Sequence, residues 1–326
     1  MKALVYDGVE TLTFRDMPDA TPGDGEHLIR VEAVGICGSD MHAYLGHDAR
    51  RPAPLILGHE AAGVIVGGPD DGRRVTINPL VNCGTCPACT SGRENICPER
   101  QIISMPPREG AFAQYVAMRD QNLVTVPDHV SFEKAALAEP LAVSWHAARL
   151  GLEALPAEAE VRALVIGGGA IGLAAALALS AMGVRDITIV EPNDARRAFL
   201  AKRCNQKAFA EAKGAFNLVV DAVGYAATRE VASARVEPGG VIVHVGLGDG
   251  AGGLDIRRMT LQEITFIGTY TYTAQDFRDT AAAIFDGRLG PLDWTEARAL
   301  SDGSAAFKSL RAGVVAAPKI ILTPWA

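Results

Sequence analysis

The stretch Ala163-Leu164-Val165-Ile166-Gly167-Gly168-Gly169-Ala170-Ile171-Gly172 decides the fold of half of this chain. Four apolar residues of strand character enter a G-x-G-x-x-G turn, which leaves into the helix formers Leu173-Ala174-Ala175-Ala176-Leu177. Glu191 ends the next apolar run, about 20 residues on, as a dinucleotide-binding strand–turn–helix–strand unit requires. In such a unit the backbone N–H groups of Gly167, Gly169, Ala170, Ile171 and Gly172 approach a pyrophosphate at the helix N-terminus. Glu191 then accepts from the adenosine ribose hydroxyls and repels a 2′-phosphate, which predicts NAD over NADP. Arg196 is the opposing feature, either recruiting that phosphate or sharing a solvated helix face with Arg197. The glycines also interrupt the most apolar segment, residues 161–182, so it reads as strand, turn and helix and not as a membrane span. Further strands at 218–221 and 241–245, with helical stretches between, extend the pattern to a doubly wound parallel sheet.

Upstream the periodicity is different. Residues 1–34 alternate apolar and polar positions between Pro and Gly turns, and short strands continue at 64–66, 74–77, 113–118 and 123–126, as in an all-β barrel. Helix-rich sequence begins at Ser131, a good N-cap. Near the C-terminus, helical segments at 281–285 and 305–310 precede Lys319-Ile320-Ile321-Leu322, a strand able to return to the first domain.

Two groups of residues within the β part carry chemistry. Cys83, Cys86, Cys89 and Cys97 follow C-x2-C-x2-C-x7-C, a spacing that lets a turn-rich lobe wrap four thiolates around one structural zinc with no open position. Clustered cysteines in a cytoplasmic chain argue for metal thiolates and not disulfides. An iron–sulfur cluster is the rival occupant. The second group lies in Gly35-Ile36-Cys37-Gly38-Ser39-Asp40-Met41-His42 and Gly58-His59-Glu60-Ala61-Ala62-Gly63. Cys37, His59 and Glu60 form the mixed donor set of a catalytic zinc. Glu139, in the apolar setting Ala138-Glu139-Pro140-Leu141, competes with Glu60 for the third position, since a buried carboxylate needs a compensating cation.

A chain of 326 residues is long enough for two domains with their own cores. Its net charge of −7 disfavours nucleic acid and anionic membrane as partners. The first residues lack a signal-peptide core, which predicts a cytoplasmic protein.

In these motifs and their order the chain resembles the zinc-dependent medium-chain dehydrogenase/reductase family, closest to its sorbitol and threonine dehydrogenase-like branch. The resemblance implies a mixed α/β architecture: a GroES-like β catalytic domain over 1–140 and 270–326, and a Rossmann NAD-binding domain over 141–269. It implies two zinc ions per chain, NAD, a small-molecule alcohol or ketone substrate, and a homodimer or homotetramer. Cys37, His59 and Glu60 would hold the catalytic zinc, with Glu139 either ligating or holding the water. Ser39 would take the alcohol proton and pass it through the cofactor ribose toward His42, and Asp40 would support the zinc ligands from behind. The expected reaction is oxidation of a secondary alcohol, a polyol or sugar-derived alcohol, to a ketone. A threonine-type amino-alcohol dehydrogenase and a non-catalytic zinc- and nucleotide-binding regulator are the alternatives. Two departures stand out. Gly268-Thr269-Tyr270-Thr271-Tyr272 lacks the Arg that the polyol branch commonly carries there, and the short span 201–218 suggests that a strand–helix piece of the Rossmann half is missing.

Overall fold

A computed structural model describes all residues, 1–326. The chain divides into two compact units, one comprising Met1–Glu139, Thr273–Asp286 and Thr295–Ala326, the other Pro140–Tyr272 and Gly287–Trp294. This differs from the sequence-based boundaries, which assign residue 140 as well as the segments 270–272 and 287–294 to the first unit. The second segment is drawn into the other unit by its side chains: Trp294 is buried, and the Arg288 guanidinium lies 5.9 Å from the Trp145 ring centroid.

In the first unit the alternating sequence produces antiparallel pairing. Strand Glu26–Gly35 is the centre, flanked by Glu60–Val66 on one side and by Lys319–Thr323 on the other, with Tyr115–Arg119 pairing along its first half. Strands Arg74–Ile77 and Leu123–Thr125 extend one edge, and Thr295–Ala299 joins the other parallel to Lys319–Thr323. Lys2–Gly8, Thr11–Asp16 and Leu55–Ile56 make a second, three-stranded sheet. Gly63 lets central strands approach closely, because a Cβ there would stand 2.0 Å from the Arg30 carbonyl oxygen. Tyr44, Phe112 and Phe307 fill the core beside the smaller sheet, with ring centroids 5.2 Å apart for Tyr44 and Phe307 and 6.0 Å apart for Phe112 and Phe307.

The second unit is a six-stranded parallel sheet in the order Ala208–Phe209, Asp186–Val190, Arg162–Ile166, Phe216–Asp221, Val236–His244, Thr265–Gly268. This is the 3-2-1-4-5-6 order of a dinucleotide-binding sheet. The central strands are apolar on both faces, as sheets covered by helices require. The expected loss over 201–218 needs correction. A strand survives there as the two-residue Ala208–Phe209, hydrogen-bonded beside Asp186–Val190, and what is absent is a helix between it and Phe216–Asp221. No helix of the chain is long and apolar enough to cross a membrane.

Replacing Gly63 by alanine should destabilise the first unit by ~1–3 kcal/mol, since the methyl group meets backbone and not a side chain able to rotate away. Chemical denaturation checks this: the midpoint should fall with little change in slope, and an unchanged midpoint would show that the strands can separate freely at Gly63.

Candidate functional site

Strand Glu26–Gly35 delivers Cys37 to the N-cap of the short helix Gly38–Tyr44. The neighbouring strand begins at Glu60, which lies opposite Gly35 in register. Glycine at 35 leaves room for the Glu60 side chain where it lies, since a Cβ would come within 2.0 Å of Glu60 Oε2. Gly58, at φ +89°, turns the chain so that His59 and Glu60 follow, and it leaves room for the Phe112 ring, 2.4 Å from where a Cβ would sit. The result is a cluster in which one donor atom each from Cys37, His59 and Glu60 lies within 4.8 Å of the others.

Asp40 ties the two segments together. Its Oδ2 accepts from the Cys37 N–H at 3.0 Å and its Oδ1 from the Gly58 N–H at 3.2 Å, while Oδ1 stands 3.5 Å from His59 Nδ1. Burial alone would raise the Asp40 pKa, but His59, Arg51 and the Cys37 N–H outweigh it and hold the carboxyl below its usual range. His59 is likewise buried, and Asp40 and Cys37 overcome the desolvation that would lower its pKa, drawing the ring well above the usual value. Ser39 Oγ lies 3.5 Å from His59 Nε2, and Ser104 Oγ lies 3.3 Å from Nδ1. The ring therefore has one nitrogen toward Asp40 and Ser104, leaving Nε2 on the Ser39 side for a metal, the division that metal-binding histidines use. His42 is exposed in the last turn of the same short helix.

Sequence reasoning missed three side chains here. Buried Arg51 donates to the Ser104 carbonyl at 3.0 Å and to Asp48 Oδ2 at 2.6 Å, and it reaches the Ser39 carbonyl at 3.5 Å. Ser104 is buried at φ +74°. Lys319 is 3% exposed, and its Nζ donates to Glu60 Oε1 at 2.6 Å and to the Ile36 carbonyl at 3.0 Å. Burial should depress the pKa of this ammonium, yet Glu60 and Cys37 raise it above its usual value, with Glu139 adding to the effect. The one available signal was a lysine heading an otherwise apolar strand. Glu60 Oε2, by contrast, is buried without a hydrogen-bond partner. An anionic oxygen in that state calls for a cation, so the donor set fits a zinc ion. Glu139 is buried at the start of helix Ala138–Glu153.

The cysteine lobe fits a second zinc. Sulfur separations are 3.5 Å for Cys86–Cys89, 3.6 Å for Cys83–Cys97 and 3.8 Å for Cys83–Cys89. Four thiolates about 2.3 Å from one zinc lie roughly 3.8 Å apart at the tetrahedral angle. Backbone N–H groups of Thr85 and Cys86 pull the Cys83 thiol down to about 6, whereas burial and the adjacent sulfurs push Cys89 up to about 12. Thiolates crowded this closely repel one another, and a zinc ion between them would relieve that repulsion.

In the second unit, Gly167 at φ +99° turns the chain out of strand Arg162–Ile166, and Gly169 caps helix Ala170–Ala181. A Cβ on Gly172 would lie 1.8 Å from the Gly167 carbonyl, so only glycine lets the helix pack this closely on the turn. Buried Glu191 accepts from the Gly168 N–H at 2.9 Å and the Asn193 N–H at 2.8 Å, one on each oxygen. Arg197 bonds the Glu191 carbonyl at 2.7 Å, while Arg196 leans over the glycines, with Nη1 3.9 Å from where a Gly169 Cβ would sit.

Comparison with known proteins agrees with both halves. Residues 23–128 match the alcohol dehydrogenase GroES-like domain, and residues 170–286 match the zinc-binding dehydrogenase model. The chain is 31% identical over 308 residues to L-galactonate-5-dehydrogenase of Escherichia coli, covering 89% of this chain and 88% of that one. It is 40% identical over 201 residues to sorbitol dehydrogenase of Bacillus subtilis, covering 59% and 56%. The structure of acetophenone reductase from Geotrichum candidum in complex with NAD superposes with a TM-score of 0.87 at 26% identity, covering 99% and 97%. With a GroES-like half, a parallel six-stranded half and two donor clusters suited to zinc, this chain belongs to the zinc-dependent medium-chain dehydrogenases, in the branch that contains the polyol dehydrogenases.

Proposed function

We propose that the protein oxidises a secondary alcohol of a polyol or sugar-derived acid to a ketone, reversibly, with NAD as the hydride acceptor. The observation that carries this reading is the cluster of Cys37, His59 and Glu60, with a buried carboxylate oxygen left unpaired beside a thiol and an imidazole nitrogen. Its relatives include enzymes named for L-galactonate, sorbitol and D-xylulose, all carrying adjacent secondary hydroxyls. Zinc would supply Lewis acidity that favours alkoxide over alcohol, and NAD would supply the acceptor for the hydride that the alkoxide expels.

The chain's own residues would then act as follows. Cys37, His59 and Glu60 would hold the catalytic ion, with buried Glu139 as a further carboxylate for the site. Asp40 would keep His59 oriented through Nδ1. Ser39 Oγ, beside His59 Nε2, would accept the substrate hydroxyl proton while passing its own proton on, through the cofactor ribose, toward His42. His42 lies three residues further along the same helix, hence on the same face, and its exposure suits a proton acceptor in contact with solvent. Cys83, Cys86, Cys89 and Cys97 would hold the structural ion.

Gly167, Gly169, Ala170, Ile171 and Gly172 would cradle the pyrophosphate of NAD, with Arg196 close enough to the glycines to offset its charge. Glu191 has both oxygens fixed by backbone N–H groups yet keeps lone pairs for ribose hydroxyls, and a 2′-phosphate would meet its charge directly. A homodimer or homotetramer fits the exposed edge strand Thr265–Gly268, and a cytoplasmic setting fits six free cysteines.

Dialysed protein should retain two zinc ions per chain, and Cys37→Ser should keep one while losing turnover of polyols and sugar acids with NAD. One zinc in the parent protein, or undiminished oxidation by the variant, would sink the catalytic assignment. Nucleotide choice is tested separately. A few kcal/mol of like-charge repulsion corresponds to a preference for NAD over NADP of about 100-fold in kcat/KM. Glu191→Gln should narrow that ratio, and equal use of both nucleotides by the parent protein would refute the role of Glu191.

A further inference from the structure

We propose that Lys319 is a positioning residue for the metal site: its ammonium occupies Glu60 Oε1, leaving Oε2 as the single carboxylate oxygen presented to the ion. The inference rests on the reading that Cys37, His59 and Glu60 hold a catalytic metal.

Strand pairing brings the lysine there. Lys319–Thr323 runs antiparallel to Glu26–Gly35, with Ile321 opposite Gly35, and the Ile36 N–H donates to the Ile320 carbonyl at 3.0 Å. Gly35 is in turn opposite Glu60. Three adjacent strands thus set Lys319, the residue preceding Cys37, and Glu60 side by side, although 259 residues separate Lys319 from Glu60. Nζ is held at two points, Glu60 Oε1 at 2.6 Å and the Ile36 carbonyl at 3.0 Å, which places the ammonium on the Oε1 side of the carboxylate.

Stability does not account for this pair. Burying a lysine and a glutamate together is often no better than two apolar residues of the same volume. The asymmetry is the informative part, since one carboxylate oxygen is fully engaged and the other, with equal burial, has no hydrogen-bond partner. Gly35 keeps the space beside Oε2 clear. A carboxylate fixed in this way ligates through one oxygen. Freed of the ammonium, it could chelate through both and donate more charge to the ion, weakening its pull on a substrate oxygen.

The test uses cobalt exchanged for zinc in the full-length protein, with the spectrum of cobalt-loaded Cys37→Ser subtracted to remove the four-cysteine site. The parent protein should show the strong visible absorption of four-coordinate cobalt. Lys319→Met should show the weaker absorption of a higher coordination number, with kcat reduced ~10–100-fold and cobalt still bound. Lys319→Leu, which likewise has no donor for Oε1, should shift the spectrum in the same direction and serves where the Met variant fails to fold. A folded variant with the parent's spectrum and kcat overturns the role of Lys319. A parent spectrum identical to that of Cys37→Ser would instead overturn the metal reading on which it rests.

Discussion

Asp40 is fully buried, and its carboxylate is the constraint from which the ligand cluster hangs. A buried anion persists only if its lone pairs are met, and here they are met by two backbone N–H groups and an imidazole. One N–H belongs to Cys37 and the other to Gly58, next to His59. Satisfying Asp40 therefore fixes the backbone on both sides of the site at once, before any metal is considered. The thiol and the imidazole are brought together by the hydrogen-bonding needs of a third residue that need not touch an ion.

The same logic runs outward through buried charges. Arg51 lies close enough to Asp40 to lower its pKa, is itself neutralised by Asp48, and reaches the backbone of Ser39 and Ser104. Ser104 adopts a left-handed conformation that costs a serine ~1–3 kcal/mol, and the structure shows what that conformation provides: a hydroxyl 3.3 Å from His59 Nδ1. Asp40 and Ser104 thus offer His59 Nδ1 two acceptors from opposite ends of the sequence around the site, which restricts the ring more than either would alone. Such a polar network is costly if incomplete, so removing one member should disturb the others more than a pairwise count suggests.

How much of this was legible in the chain depended on sequence distance. The four cysteines and the glycine turn are local devices, in which spacing alone encodes geometry, and they could be read directly. Asp40 belongs to the same short motif as Cys37. Arg51, Ser104 and Lys319 act through tertiary contacts, and nothing in Lys319-Ile320-Ile321-Leu322 says that its first residue faces a carboxylate 259 positions away. Register supplies that information, and register comes from the pairing of three strands. The two-residue strand Ala208–Phe209 was missed for the opposite reason: it is too short for periodicity, and parallel pairing with Asp186–Val190 defines it.

The second unit repeats the device found at Asp40. Asp221, buried at the end of strand Phe216–Asp221, accepts from the Val223 and Gly224 N–H groups at 3.0 Å and from Thr228 Oγ1 at 3.0 Å, with His244 Nδ1 3.2 Å away. It pins a turn at the C-terminal edge of the parallel sheet, where dinucleotides bind in folds of this order. Gly224 then packs against Gly246 so closely that a Cβ would fall 2.2 Å from the Gly246 carbonyl oxygen. The following loop, with Gly248, Gly250, Gly252 and Gly253, has the composition of a flexible linker. It is held nonetheless, because buried Arg229 donates to the carbonyls of Gly224, Asp249 and Gly252 and pairs with the Asp249 carboxylate. One guanidinium, with donors in a rigid fork, satisfies the backbone of a loop that has few side chains to pack. Glycine there allows close approach, and the arginine removes the freedom that glycine would otherwise bring, so the edge of the sheet is preorganised for a ligand.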